Sequence, residues 1–217
     1  MITYAPLFPI LEKVESSLGL PNGFIESLEK EDDWSFIVKS HALIETMLTQ
    51  VLTSKTDPRL ENVFAKMAFT RGQTSKIKAA EALNLITEAM KDVIYLYSEI
   101  RNKYVHSVKY VTTNLVGYFQ NMDSNVLQKY SGSIFRLLLT NPDEDDIKGM
   151  KNELLKSPKD ILAVAVFIIL GSLLFELHPI EKELAEKDLL ENGLLIAFVL
   201  LLGLIWEQRE ANSQKKK

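Results

Sequence analysis

Arg101, Asn102 and His106 stand close together in the stretch EIRNKYVHS, residues 99–107. These three residue types are the working parts of metal-free phosphodiester cleavage. A base must take the proton from a ribose 2′-hydroxyl, an acid must protonate the departing oxygen, and a cation must hold the charge on the phosphorane. Histidine performs either proton transfer near neutral pH. The arginine fork fits two phosphate oxygens, and asparagine can steady the imidazole or donate to the phosphate. One imidazole does not easily serve as base and acid at once, so two copies meeting across a symmetric dimer would complete the set. The same residues also suit an ordinary helix end, where cations complement the dipole and polar groups cap free carbonyls.

The stretch closes a helical pattern that runs from Thr87 to His106. Val93, Tyr97, Ile100 and Tyr104 form its core stripe, and Tyr95, Glu99, Asn102 and His106, spaced four, three and four, form a polar stripe beside it. Arg101 sits about 100° to the side of Asn102. Glu99 is expected to pair with Lys103, four residues on, in preference to orienting His106. Upstream, a long helix is expected from Asp32 or Asp33 to about Thr53. Its stripe of Ile37, His41, Ile44, Leu48 and Val51 makes His41 a core histidine. Thr74 or Ser75 caps SKIKAAEALNLI, with Ile77, Ala79, Ala80, Leu83 and Ile86 inward. Arg71, Lys76 and Lys78 near that cap read as a solvated loop, or as a phosphate contact. YVTTNLVGYF (110–119) reads as extended or loop, and SNVLQKYSGSIFRLLL (124–139) as a helix weakened at Gly132. TNPDEDD starts another helix, and Ser157–Pro158 a further one to about Leu177. No segment alternates cleanly over more than five residues, so the fold class is all-α.

The bulk composition limits the function. The 217 residues carry a net charge of −4, so a nucleic-acid site would have to be a local patch. There is no cysteine, which excludes a disulfide framework, a thiolate metal site and a cysteine nucleophile. His41, His106 and His178 lie far apart in sequence, so neither a metal site nor a cofactor is expected, and His178 is given no role. The first residues lack a basic run followed by an apolar one, so no signal peptide is expected.

R-N-x-x-x-H at Arg101–His106 resembles the R-x4-6-H signature of HEPN domains, in which a polar residue often follows the arginine. FIVKSHALIETML (36–48), SKIKAAEALNLI (75–86) and LYSEIRNKYVHS (96–107) resemble the mannitol-repressor-like branch of that family, and SPKDILAVAVFIIL (157–170) is similar to its closing helix. The resemblance implies a four- or five-helix bundle that dimerises through the motif helices. It implies a metal-independent endoribonuclease of the toxin or defence type, with Arg101 and His106 catalytic and Asn102 supporting. Val108 stands where one toxin branch has a tyrosine, two residues after the histidine, so silencing at that tyrosine is not expected. Some members of the mannitol-repressor-like branch regulate without cleaving RNA. The alternative is therefore a non-catalytic regulatory or protein-interaction module.

Two C-terminal runs, ILAVAVFIILGSLLF and GLLIAFVLLLGLIW, are apolar on every side and belong in a core, a subunit interface or lipid. Each run extends only about 21–23 Å as helix, short of a bilayer core. Lys156, Lys159, Arg209 and Lys215–Lys217 flank them, as a hairpin with both ends in the cytoplasm would require. The expected organisation is an N-terminal helical extension (1–31), a HEPN-like bundle (32–178) with a segment inserted near 109–157, and an apolar helix with a basic tail (179–217). The expected partners are a second copy of the chain, RNA, and an antitoxin or regulatory protein. The chain is expected in the cytoplasm, with inner-membrane association through residues 161–206 as the competing placement.

Overall fold

Residues 8–110, 113–138 and 143–178 are described by the computed structural model. Among them ten α-helices follow in order, and there is no strand. They are α1 (Phe8–Leu18), α2 (Phe24–Ser27), α3 (Asp33–Lys55), α4 (Glu61–Lys66), α5 (Lys76–Ala82), α6 (Glu88–His106), α7 (Leu115–Gln120), α8 (Ser124–Leu138), α9 (Glu144–Lys156) and α10 (Pro158–Leu177). The all-α fold class therefore holds.

Short polar side chains start the main helices. Asp32 accepts from the Ser35 N–H at 3.0 Å to open α3, and Thr87 accepts from the Met90 N–H at 3.2 Å to open α6. Asp143 and Asp146 form a reciprocal capping box at α9. Two expectations fail for local reasons. In YVTTNLVGYF, residues 115–119 are not extended but belong to α7, because Asn114 accepts from the Gly117 N–H at 2.8 Å and caps it. SKIKAAEALNLI does not stay helical to its end. Asn84 takes a left-handed conformation (φ 55°), α5 stops at Ala82, and Leu83 is exposed instead of inward.

α3 lies at the centre. Ile37, Ile44, Leu48 and Val51 are buried, as their stripe predicts, but so are Phe36, Leu43, Met47 and Leu52. More than one face is covered because α10 and α6 both pack along α3, with α4 and α5 adding further contacts. α3 and α10 run parallel. Lys159, at the start of α10, donates to the Glu31 carbonyl and lies 3.9 Å from Asp33, while Lys55 and Glu176 pair at 3.1 Å at the other ends. α6 runs antiparallel to α3, with Ser98 opposite His41, and the buried Tyr97 hydroxyl donates to the Leu162 carbonyl of α10 at 2.6 Å. Leu11 and Val14 of α1, Ile25 of α2, and Leu127, Ile134, Met150 and Leu154 of α8 and α9 join the same core. The buried Glu15 carboxylate ties α1 to α2 by accepting from the N–H groups of Gly23 (2.8 Å) and Ile25 (2.7 Å).

The apolar run at 161–175 belongs to a 20-residue helix, about 30 Å long, so the length argument against a membrane span does not apply to it. α10 is long and apolar enough to cross a bilayer, yet 61% of its apolar window is buried inside the protein. The second apolar run and the basic tail lie outside the described residues.

Gly132 does not break α8. It is a buried helical glycine, and an added Cβ would meet Arg136 Nη1 at 3.6 Å and Ile147 Cδ1 at 3.7 Å, both ordinary contacts. Gly132→Ala should therefore stabilise the protein by about 0.5–1 kcal/mol through lower unfolded-chain entropy. A urea midpoint at or below that of the parent would refute this.

Candidate functional site

α6 carries the motif between two neighbours. Ile94 and Ser98 turn towards α3, and Arg101 follows on the same side, three residues after Ser98. Glu99 and Lys103 turn towards α7 and α8. His106 is the last helical residue, before Ser107 goes extended.

On the α3 side lies a buried polar joint. His41 Nε2 is 3.2 Å from Ser98 Oγ, and His41 Nδ1 is 4.0 Å from Glu45 Oε2. The other Glu45 oxygen accepts from Lys76 Nζ at 2.8 Å, and that lysine side chain is only 3% exposed. The loop before α5 holds Lys76 in place: its N–H donates to the Ala68 carbonyl at 2.9 Å, and the Phe69 ring meets His41 edge-on at 4.9 Å. Burial pushes the His41 pKa down to about 4; the Arg101 and Lys76 cations push the same way, and Glu45 opposes them. The imidazole is therefore neutral at physiological pH.

Ser98, His41 and Glu45 follow the order of a nucleophile–base–carboxylate chain, but they do not form a working triad. Ser98 is 4% exposed, and Lys76 already engages Glu45. The shallow groove lined by Asn62, Val63, Lys66, Met67, Ala68 and Thr74 includes none of the three.

Arg101 is half-buried and donates from Nη1 to Asn102 Oδ1 at 3.1 Å. Lys39, Lys76, Lys91, Lys103 and Lys159 each have a carboxylate within 4.0 Å. Arg101 has none among the described residues. A partly desolvated cation without a counter-charge is costly, and a bound anion would relieve that cost.

On the opposite side, Glu99 accepts from Lys103 Nζ at 3.0 Å and from the Tyr130 hydroxyl at 3.1 Å. The expected Glu99–Lys103 pair is present, and both Glu99 oxygens are occupied without His106. Lys103 also donates to the Tyr118 hydroxyl at 3.2 Å and lies 4.9 Å from that ring's centre. Burial, with the Glu99 charge next, pushes the Tyr118 pKa up to about 12.

His106 is exposed and makes no hydrogen bond or ion pair with any described residue. It lies five residues from Arg101, about 140° round the helix axis. The structure thus brings Arg101 and Asn102 together and leaves His106 on another face of α6. Sequence reasoning missed Glu45, Lys76 and Ser98 as the polar groups around His41. The signal for Glu45 was its spacing of four from His41 on the same helix, and for Ser98 its spacing of three from Arg101; nothing local marked Lys76. No family model, no curated protein and no solved structure matches this chain.

Proposed function

We propose that this chain is a HEPN-like ribonuclease whose α6 end, completed by a second copy, cleaves RNA phosphodiesters without a metal. The observation that carries this is Arg101: a half-buried guanidinium, steadied by Asn102, with no carboxylate among the described residues to neutralise it. Its remaining N–H donors suit a phosphate. The exposed His106 on the same helix, with no partner among the described residues, is available for proton transfer. Arg101 and His106 point about 140° apart, so the arginine of one copy and the histidine of its partner would act on one phosphate. The partner's His106 takes the 2′-hydroxyl proton, the 2′-oxygen bonds to phosphorus, the bond to the 5′-oxygen breaks, and that oxygen takes a proton from solvent. A 2′,3′-cyclic phosphate results.

Purified protein is expected to degrade RNA in the presence of a chelator. His106→Ala and Arg101→Ala should each lower the rate by about 10²-fold or more, with little change in thermal stability. RNA that stays intact, or cleavage that survives His106→Ala, would overturn the proposal.

The same divergence of Arg101 from His106 favours a second reading, a regulatory module of the mannitol-repressor-like kind. There Arg101 receives a carboxylate of a regulatory or antitoxin protein, and His106 has no chemical role. A monomeric chain that leaves RNA intact and binds such a partner only while Arg101 is present would decide for it.

A further inference from the structure

His41 is a buried imidazole that the cleavage reading leaves unused. The groups facing it come from every element packed on it: Glu45 of α3, Lys76 of α5, Ser98 and Arg101 of α6, and the Phe69 ring from the loop before α5. If doubly protonated, the ring would donate from Nε2 to the Ser98 hydroxyl (3.2 Å) and would have the Glu45 carboxylate as a counter-charge 4.0 Å from Nδ1. The geometry thus suits an imidazolium, while burial and two nearby cations keep the ring neutral. Of those cations, Lys76 is already paired with Glu45, and Arg101 has no carboxylate partner among the described residues.

We propose that Arg101 and His41 form one unit that takes up a tetrahedral oxyanion and a proton together: the anion sits on the free edge of the Arg101 guanidinium, and the neighbouring His41 imidazole accepts a proton from solvent as the anion arrives. This rests on the cleavage reading, which gives Arg101 to phosphate, and adds a titrating imidazole on Arg101's own side of α6. The anion cancels the Arg101 charge, so His41 holds a proton more readily. By reciprocity, the protonated protein binds the anion more tightly. A rise of one pKa unit in His41 corresponds to about tenfold tighter binding on the acid side.

The test is an NMR titration of the imidazoles in the full-length chain with sulfate, whose charge does not change across the pH range used. Sulfate should raise the His41 titration midpoint by about one pH unit, and Arg101→Gln should abolish the effect. His41→Gln should still bind sulfate but lose the roughly tenfold tightening towards acid pH. The inference is overturned if sulfate binds through Arg101 while His41 titrates unchanged, or if sulfate does not bind at acid pH. RNA cleavage is assayed separately. Cleavage that persists while His41 ignores sulfate removes this inference alone. A His41 response in a protein that leaves RNA intact removes the cleavage reading alone.

Discussion

Glu45→Ala is expected to cost the fold about 3–5 kcal/mol, a large part of the stability of a typical domain. The cost arises at Lys76. Its side chain is 3% exposed, and its partner is the Glu45 carboxylate at 2.8 Å. Removing that carboxylate leaves a buried cation at the first residue of α5, where the helix dipole is also unfavourable to positive charge. Arg101, the other cation acting on His41, has no carboxylate partner among the described residues to share. Lys76→Met tests the cause. It removes the charge and keeps an apolar stem of similar length, so the double variant Glu45→Ala/Lys76→Met should recover to within about 1 kcal/mol of the parent. Urea unfolding of the four proteins measures this. A single Glu45→Ala variant within about 1 kcal/mol of the parent would show that the pair contributes little.

That pair also marks where sequence reasoning stops. The starts of α3 and α6 were legible because a cap is local: Asp32 lies three residues before its donor Ser35, and Thr87 three before Met90. The core stripe of α6 was legible because Val93, Tyr97, Ile100 and Tyr104 repeat with the helical period, and all four are buried. Lys76 lies 31 residues from Glu45, and no local signal separates a buried lysine at a helix start from a solvated one. Arg101 shows the same limit. Its position on the helix circle followed from spacing, but the choice of α3 as its neighbour depended on how two helices dock. His41 was placed in the core by its stripe, while its polar partners Ser98 and Glu45 came from packing and from a neighbouring turn. The candidate site was therefore legible as a list of residues on one helix, and illegible as an arrangement between helices.

His41 makes stability depend on pH in a window that can be named. In the unfolded chain it takes a proton near 6.5, and in the folded chain only near 4. Between those values the unfolded state binds more protons, so stability falls as the pH drops, and it is unaffected by this group above 6.5. The full loss should be about 3 kcal/mol by pH 4. Glu81, held down to about 2 by hydrogen bonds from Lys78 and then Lys91, titrates in the unfolded chain near 4.5, so most of its own loss lies below the His41 window. His41→Gln keeps an amide that can reach Ser98 but cannot charge, so its urea midpoint should stay nearly flat from pH 6.5 to about 4.5, while that of the parent falls. Parallel curves for the two proteins would mean that His41 does not control the acid limb. Sulfate should also soften the fall in the parent protein, because an anion on Arg101 brings the folded pKa of His41 back towards its unfolded value.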